Sequence, residues 1–256
     1  MSNLEAKAEH FRSLHVPGKP LVLFNIWDVG SAKAVEGAGA RALATGSWSV
    51  ASANGYEDGE GVPLDLAIAN VARIVRATEL PVTVDLESGY GEAPDSMAKA
   101  VERSISAGAV GCNLEDSIPT TRALRDIGAQ AERIKLARKA ADARVPAYFI
   151  NARTDVFLNT PPKTHDDAVV AAVLERAKAY ADAGASGLFA PGLVDAVLIG
   201  RLAERSPLPV NIMVLDQTPS LREMASLGVA RVSHGPRPYV LAMKALQDAA
   251  REAATT

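Results

Sequence analysis

Residues 81–116 read PVTVDLESGYGEAPDSMAKAVERSISAGAVGCNLED, and this stretch holds one complete copy of the unit from which the chain is built. Pro81 to Glu87 is a short β-branched run ending in acids, and its proline, lacking an N–H, suits the start of a strand. The turn residues Ser88-Gly89-Tyr90-Gly91 follow. A helical pattern rich in Ala, Arg, Glu and Lys comes next and stops at Ser106-Ala107-Gly108, where glycine can take the left-handed cap conformation. Val110 to Asp116 then starts the next strand and again ends in acids.

Reading outward from this unit gives eight couplets. The expected strands are Leu21 to Asp28, Arg41 to Ser47, Pro81 to Glu87, Val110 to Asp116, Ala147 to Asp155, Ser186 to Pro191, Pro209 to Val214 and Arg231 to Gly235. Helix stops recur at Gly37 and Gly39, at Gly184 and at Gly228, and proline opens strands at Pro20, Pro146 and Pro209. Strict alternation requires right-handed crossovers onto a parallel sheet, and eight units are enough to close it. A chain of 256 residues is the usual size of one such barrel. The expected architecture is therefore a single α/β domain over 1–256, a (β/α)8 TIM barrel with an extra amphipathic helix within Met1 to His15. A doubly wound open sheet is the competing architecture, but no strand leads into G-x-G-x-x-G or a Walker sequence, and Gly37 and Gly39 follow a helix. Leu158 to His165, with Pro161 and Pro162, reads as an exposed excursion before a helix.

Composition narrows the function classes. A hydrophobic content of 48% with a net charge of -3 describes an ordinary globular protein and argues against a surface built for nucleic acid. The single cysteine, Cys112, excludes an internal disulfide and a multi-cysteine zinc site, so a reducing, cytoplasmic setting is expected. No apolar run near the N-terminus is long enough for a signal peptide or a membrane span.

Barrel active sites lie at the C-terminal ends of the strands, so the residues there carry the chemistry. Strand three ends in Asp85-Leu86-Glu87, strand four in Asn113-Leu114-Glu115-Asp116 and strand one in Asp28, while the loop after strand two holds Glu57 and Asp58. Period-two alternation sets Asp85 with Glu87, and Asn113 with Glu115, on common faces. Acids gathered so closely need a positive neighbour. A hard divalent cation is one, Mg2+ foremost with Mn2+ as an alternative; Arg153, in Asn151-Ala152-Arg153-Thr154-Asp155, is the other. Any one acid taken alone also suits helix capping or an ion pair with Arg153. Zinc fits less well, because His234 is the one histidine at a strand end. Arg153 can also grip a substrate carboxylate through two parallel N–H bonds. Ala44-Thr45-Gly46-Ser47-Trp48-Ser49 offers small residues and open backbone N–H groups for an anionic oxygen, or simply a tight turn.

These segments, in this order, resemble the phosphoenolpyruvate mutase/isocitrate lyase superfamily. The likeness rests on Trp27-Asp28 with Ser31-Ala32, the Ser47 turn, Gly55-Tyr56-Glu57-Asp58, Asp85 to Gly91, Gly111 to Asp116 and Asn151 to Asp155. It implies Mg2+ held by Asp85, with Glu87 and Glu115 reaching it directly or through water. It also implies a substrate carboxylate or phosphonate at Ser47-Trp48, Arg153 at the substrate's other end, Asp58 closing over the reacting centre and Asn211 as a polar contact. Two departures bear on the reaction. Where the lyases carry a Lys-(Lys/Arg)-Cys-Gly-His lid, and the mutases one with lysine and asparagine, this chain reads Ser117-Ile118-Pro119-Thr120-Thr121-Arg122-Ala123-Leu124. After strand six it has Phe189-Ala190-Pro191-Gly192, where the lyases tend to carry an acid. Cys112 lies on the strand face opposite Asn113 and Glu115 and reads as a buried structural thiol.

The resemblance implies an enzyme that breaks a bond next to a 2-oxo or 2-hydroxy carboxylate through an enolate. Lacking a lid cysteine, it is expected to be a carbon–carbon lyase or decarboxylase assisted by Asp58 or Tyr56. Phosphonate P–C chemistry is the second reading. A phosphate-binding barrel, suggested by Ser233-His234-Gly235-Pro236-Arg237 after strand eight, is a third, and a non-catalytic binding barrel a fourth. His10, His15 and His165 fall in presumptive surface segments and are expected to be solvated, whereas Trp48 is a candidate pocket wall. The last helix, from Arg237, carries an apolar stripe of Val240, Leu241, Met243, Ala245 and Leu246. By resemblance it is exchanged between subunits of a homo-oligomer, a dimer or tetramer. No membrane or nucleic-acid partner is expected.

Overall fold

The computed structural model describes residues 3–255; Met1, Ser2 and Thr256, the ends of the expected first helix and of the 1–256 domain, lie outside the described residues. In chain order the elements are α1 (Asn3–Ser13), β1 (Leu21–Leu23), α2 (Val29–Gly37), β2 (Leu43–Ala44), α3 (Ser47–Asn54), α4 (Leu64–Arg76), β3 (Val82–Asp85), α5 (Ser96–Ser106), β4 (Gly111–Glu115) and α6 (Ile127–Asp142). They continue with β5 (Phe149–Arg153), α7 (Val156–Asn159), a 3-10 turn at Pro162–Thr164, α8 (Asp167–Asp182), β6 (Gly187–Phe189), α9 (Ala196–Arg205), β7 (Val210–Met213), α10 (Leu221–Ser226), β8 (Arg231–Ser233) and α11 (Arg237–Thr255).

All eight strands are parallel and follow the order β1-β8-β7-β6-β5-β4-β3-β2. The remaining seam closes just past β1. There Ile26 bridges Thr45, with Ile26 N–H donating to Ala44 O at 2.9 Å and Gly46 N–H to Ile26 O at 3.1 Å. The barrel is formed as expected and the open sheet is not. Each strand is shorter than its apolar run, because burial outlasts the hydrogen-bonded ladder: Leu86 is wholly buried one residue beyond β3.

β4 shows how the pattern builds the interior. Cys112 and Leu114 face outward into the core cluster that contains Val101 of α5 and Ala137 of α6. Asn113, one residue from each, faces inward, where its Oδ1 accepts from Asn151 of β5 at 2.9 Å and from Arg231 of β8 at 3.2 Å. The apolar core thus lies between sheet and helices, and the barrel axis is polar. Helices stop where glycine reverses the chain, as at Gly108 (φ 92) and Gly184 (φ 96). Asp28 caps α2 through a reciprocal pair with Ser31, so this acid is a helix cap and not a member of the expected carboxylate cluster.

α1 plugs the N-terminal end of the barrel. Phe11, fully buried, meets the Phe149 ring edge-on with centroids 5.6 Å apart, and His15 stacks on Phe149 at 3.9 Å. Gly111 and Gly187 leave room for that ring: a Cβ on Gly111 would lie 2.8 Å from Phe149 O, and one on Gly187 2.9 Å from the ring. The expectation that His15 is solvated is corrected, since only 8% of it is exposed. His165 is half-buried, a ring nitrogen within 3.1 Å of both Phe157 O and Thr160 O; only His10 is exposed as expected. Leu158 to His165 does form a largely exposed excursion. α11 leaves the barrel surface with Val240, Leu241 and Leu246 exposed.

Candidate active site

The acid cluster is built around Asp85 at the C-terminal end of β3. Thr45 Oγ1 accepts the Asp85 N–H at 3.0 Å, and the Asp85 carboxylate accepts only long bonds, from Ser47 N–H at 3.3 Å and Glu87 N–H at 3.4 Å. It makes no ion pair among the described residues. Burial pushes its carboxyl above the usual range, while the Arg153 charge pulls it back. Thr45, expected to touch substrate, is buried and spends its hydroxyl on Asp85, so its part is to hold that acid.

Glu87 lies past the end of the strand with φ 50, so alternation does not govern where it points. Its Oε2 accepts Glu60 N–H at 2.6 Å, and burial together with the Asp85 charge pushes it up to about 7. Glu115 pairs with Arg153 Nη1 at 2.8 Å, and Asp155 takes the other edge of the guanidinium, Nε at 2.6 Å and Nη2 at 3.0 Å. Burial raises Glu115 and Arg153 opposes it; Arg153 in turn is kept charged by both carboxylates. Two of the five arginine N–H donors are thereby hydrogen-bonded, both to Asp155, and the Glu115 contact is an ion pair.

Because Glu115 is turned to Arg153 and Glu87 to Glu60, no three His, Cys, Asp or Glu side chains among the described residues are grouped to hold a metal. The expected three-acid cage is not preformed. What fits a divalent cation is Asp85 itself: a half-buried carboxylate with weak hydrogen bonds, in a site with excess negative charge. Magnesium needs only one or two such carboxylates and otherwise keeps water.

A cavity of about 170 Å3 opens above Asp85, lined among others by Asn25, Ser47, Trp48, Asp58, Asn113, Arg153, Phe189, Met213, Ser233 and Pro236. Ser47, expected to end a strand, instead begins α3, whose first turn carries N–H groups without intrahelical partners and so suits an anion. Trp48 lines the cavity, is 39% exposed and stands edge-on to Tyr239 of α11. Asp58 reaches the cavity, and its Oδ1 is buried without a hydrogen-bond partner. Tyr56 is not brought in: it is 38% exposed and does not line the cavity. Asn211 lies beneath the lining, its Oδ1 accepting from Ser233 Oγ at 3.1 Å, so its contact is one layer removed. The turn after β8 offers little to a phosphate, because His234 N–H and Gly235 N–H both donate to Asn25 Oδ1 and Arg237 pairs with Asp216.

Four residues escaped the sequence reading. Asp155 stood in a quoted motif without a role, yet it orients Arg153. Arg231 is a fully buried guanidinium under the cavity floor, bonded to Asn113 and brought down to about 9 by burial. Arg133 of α6 donates to four carbonyls of the loop after β3, those of Ser88, Gly91, Glu92 and Ala93. Glu60 ties two loops together. The left-handed φ of Glu60, Glu87 and Tyr90 has no sequence signal, since none is glycine or asparagine.

Residues 11–254 match the phosphoenolpyruvate phosphomutase family. An oxaloacetate decarboxylase of Pseudomonas aeruginosa is 33% identical over 198 residues, covering 75% of this chain and 65% of that protein. The 2-methylisocitrate lyase of Escherichia coli K12 is 29% identical over 225 residues, 81% of this chain and 73% of the lyase. A crystal structure of a candidate phosphonomutase from Burkholderia cenocepacia J2315 superposes with a TM-score of 0.95 at 57% identity, covering 98% of this chain and 99% of the other. The fold, the order of the strand-end motifs and these likenesses agree: the chain belongs to the phosphoenolpyruvate phosphomutase family, within a superfamily of lyases and mutases.

Proposed function

We propose that this chain is a Mg2+-dependent carbon–carbon lyase or decarboxylase that acts on a small 2-oxo or 2-hydroxy carboxylic acid through an enolate. The observation that carries the reading is the mixed lining of the cavity. Asp85, Asp58 and Arg153 bring charge to it, Trp48, Phe189, Met213 and Pro236 bring apolar surface, and Arg153 is the cationic side chain among the lining residues. A carboxylate with its 2-oxygen is served by Arg153 and a cation at Asp85. The apolar part of the lining suits departure of an uncharged product such as CO2 or a carbonyl compound. With Arg153 engaged by the substrate carboxylate, an anionic phosphoryl group would find no second cationic side chain.

In this reading the N–H groups at the start of α3 and the remaining N–H donors of Arg153 hold and orient the substrate carboxylate. Asp85, with Glu87 and Glu115 directly or through water, would hold the cation. Bound there, Mg2+ supplies Lewis-acid charge beside the developing enolate oxygen. Asp58, which lines the cavity and has an unpartnered Oδ1, takes or returns the proton. The protein is read as one barrel over 1–256, resident in the cytoplasm; no described helix is long and apolar enough to cross a membrane. The exposed apolar stripe of α11 supports a homo-oligomer, dimer or tetramer, in which that helix packs on a neighbouring subunit.

P–C bond chemistry is the second reading, favoured by the 57% identity to the candidate phosphonomutase. The deciding experiment measures pyruvate or CO2 release from oxaloacetate, substituted malates, methylisocitrate and phosphonopyruvate, each with Mg2+ and with EDTA. Metal-dependent turnover of a carbon acid is expected. Turnover confined to phosphonopyruvate overturns the lyase reading, and silence throughout turns it toward a binding barrel.

A further inference from the structure

We propose that Glu60 is a positioning residue that locks the Asp58 loop onto the loop after β3, an inference that rests on the reading of Asp58 and Glu87 as site acids. Asp58 sits in the connection between α3 and α4, two residues before Glu60. From this one residue, bonds run in both directions. The Glu60 N–H donates to Glu87 Oε2 at 2.6 Å, while Glu60 Oε1 accepts from Ser88 Oγ at 2.6 Å and from Tyr90 N–H at 2.7 Å. A backbone group thus holds a side chain of the opposite loop, and the side chain holds that loop's backbone.

Neither loop is self-supporting in this shape. Glu60, Glu87 and Tyr90 all have positive φ, at 65, 50 and 57, which residues with a Cβ adopt only when their surroundings impose it. The turn bearing Asp58 is folded so tightly that a Cβ on Gly61 would collide with Glu57 O. On the far side, Arg133 holds the carbonyls of Ser88, Gly91, Glu92 and Ala93, so the β3 loop is gripped from beneath and the Asp58 loop hangs from it through Glu60. Holding the half-buried Glu60 carboxylate beside the buried Glu87 carboxylate is unfavourable, and the Arg133 guanidinium, close enough to feel the Glu60 charge, offsets it. The lock fixes where Asp58 stands over the cavity and which way the Glu87 carboxylate turns.

The test compares Glu60→Ala and Glu60→Gln in the full chain by hydrogen exchange, by calorimetric titration with Mg2+ alone, and by turnover of the best substrate. Ser88→Ala, which deletes one bond, serves as a milder variant should Glu60→Ala not fold. Glutamine keeps an oxygen acceptor for Ser88 and Tyr90; alanine keeps none. Expected is at least a tenfold loss of amide protection confined to residues 57–60 and 87–90 in Glu60→Ala, a several-fold fall in kcat with a smaller change in KM, and recovery of most of both in Glu60→Gln. Unchanged protection in Glu60→Ala, or a glutamine variant as impaired as the alanine one, overturns the lock. Lost protection with Mg2+ affinity and turnover intact overturns instead the assignment of Asp58 and Glu87 on which the inference rests.

Discussion

His15 makes the fold sensitive to acid. Its ring is stacked on Phe149 at 3.9 Å, its Nδ1 lies 2.9 Å from Phe11 O, and its Nε2 is buried without a partner. Burial, with the Arg231 charge adding to it, brings it from 6.5 down to about 3. The folded state therefore refuses a proton that the unfolded chain takes up below pH 6.5, so this contribution to stability is whole above 6.5 and is lost as pH falls toward 3. At pH 5 the unfolded chain gains from about 1.5 units of protonation, roughly 2 kcal/mol at 1.36 kcal/mol per unit. For a chain of this size that corresponds to a fall in Tm on the order of 4–8 °C. Replacing His15 with leucine loses the stack and the Nδ1 bond at every pH, so only the pH dependence is diagnostic. Urea denaturation of wild type and His15→Leu at pH 7 and pH 5 should show the variant losing about 2 kcal/mol less between the two. Parallel losses would mean that folded His15 accepts its proton, and the reasoning would fail.

Three further outcomes follow from the site. Asp85→Asn should abolish Mg2+ binding and turnover, yet in EDTA it should melt no lower than wild type, because it removes a charge whose carboxyl is already pushed upward by its surroundings; normal turnover sinks the assignment. Arg153→Met strands the buried Glu115 and Asp155 and should cost roughly 3–5 kcal/mol in denaturant melts, whereas a loss under about 1 kcal/mol would show that the pairs contribute little. Cys112 is buried, with its thiol pushed up to about 12, so native protein should resist iodoacetamide and keep its activity, becoming labelled only in urea; rapid native labelling contradicts this burial.

Much of the architecture was legible because it is written in local periodicity. The couplet of residues 81–116 contains strand, turn, helix and glycine stop in order, and each signal depends only on neighbours in the chain. Asp85, Asn113 and Arg153 were legible for a related reason, since they lie on strands whose inward faces are set by counting in twos. Glu87 was named correctly as a neighbour of Asp85 by an argument that did not apply to it, because the strand had already ended. His15 was misread because a polar residue at a helix end resembles a surface residue, and only the Phe149 ring across the barrel shows that it is a plug.

The sequence by itself determined the eightfold repeat, the acid-rich strand ends and the family, because these are properties of segments or of their order. Only the tertiary structure decided which acids meet. Asp28 turns back to cap its own helix, Glu115 goes to Arg153, Glu87 is drawn to Glu60, and Tyr56 stays outside. Those choices depend on partners between 3 and 38 residues away and on loops held in left-handed conformations from outside. No count along the chain encodes such distances; closing the barrel creates them.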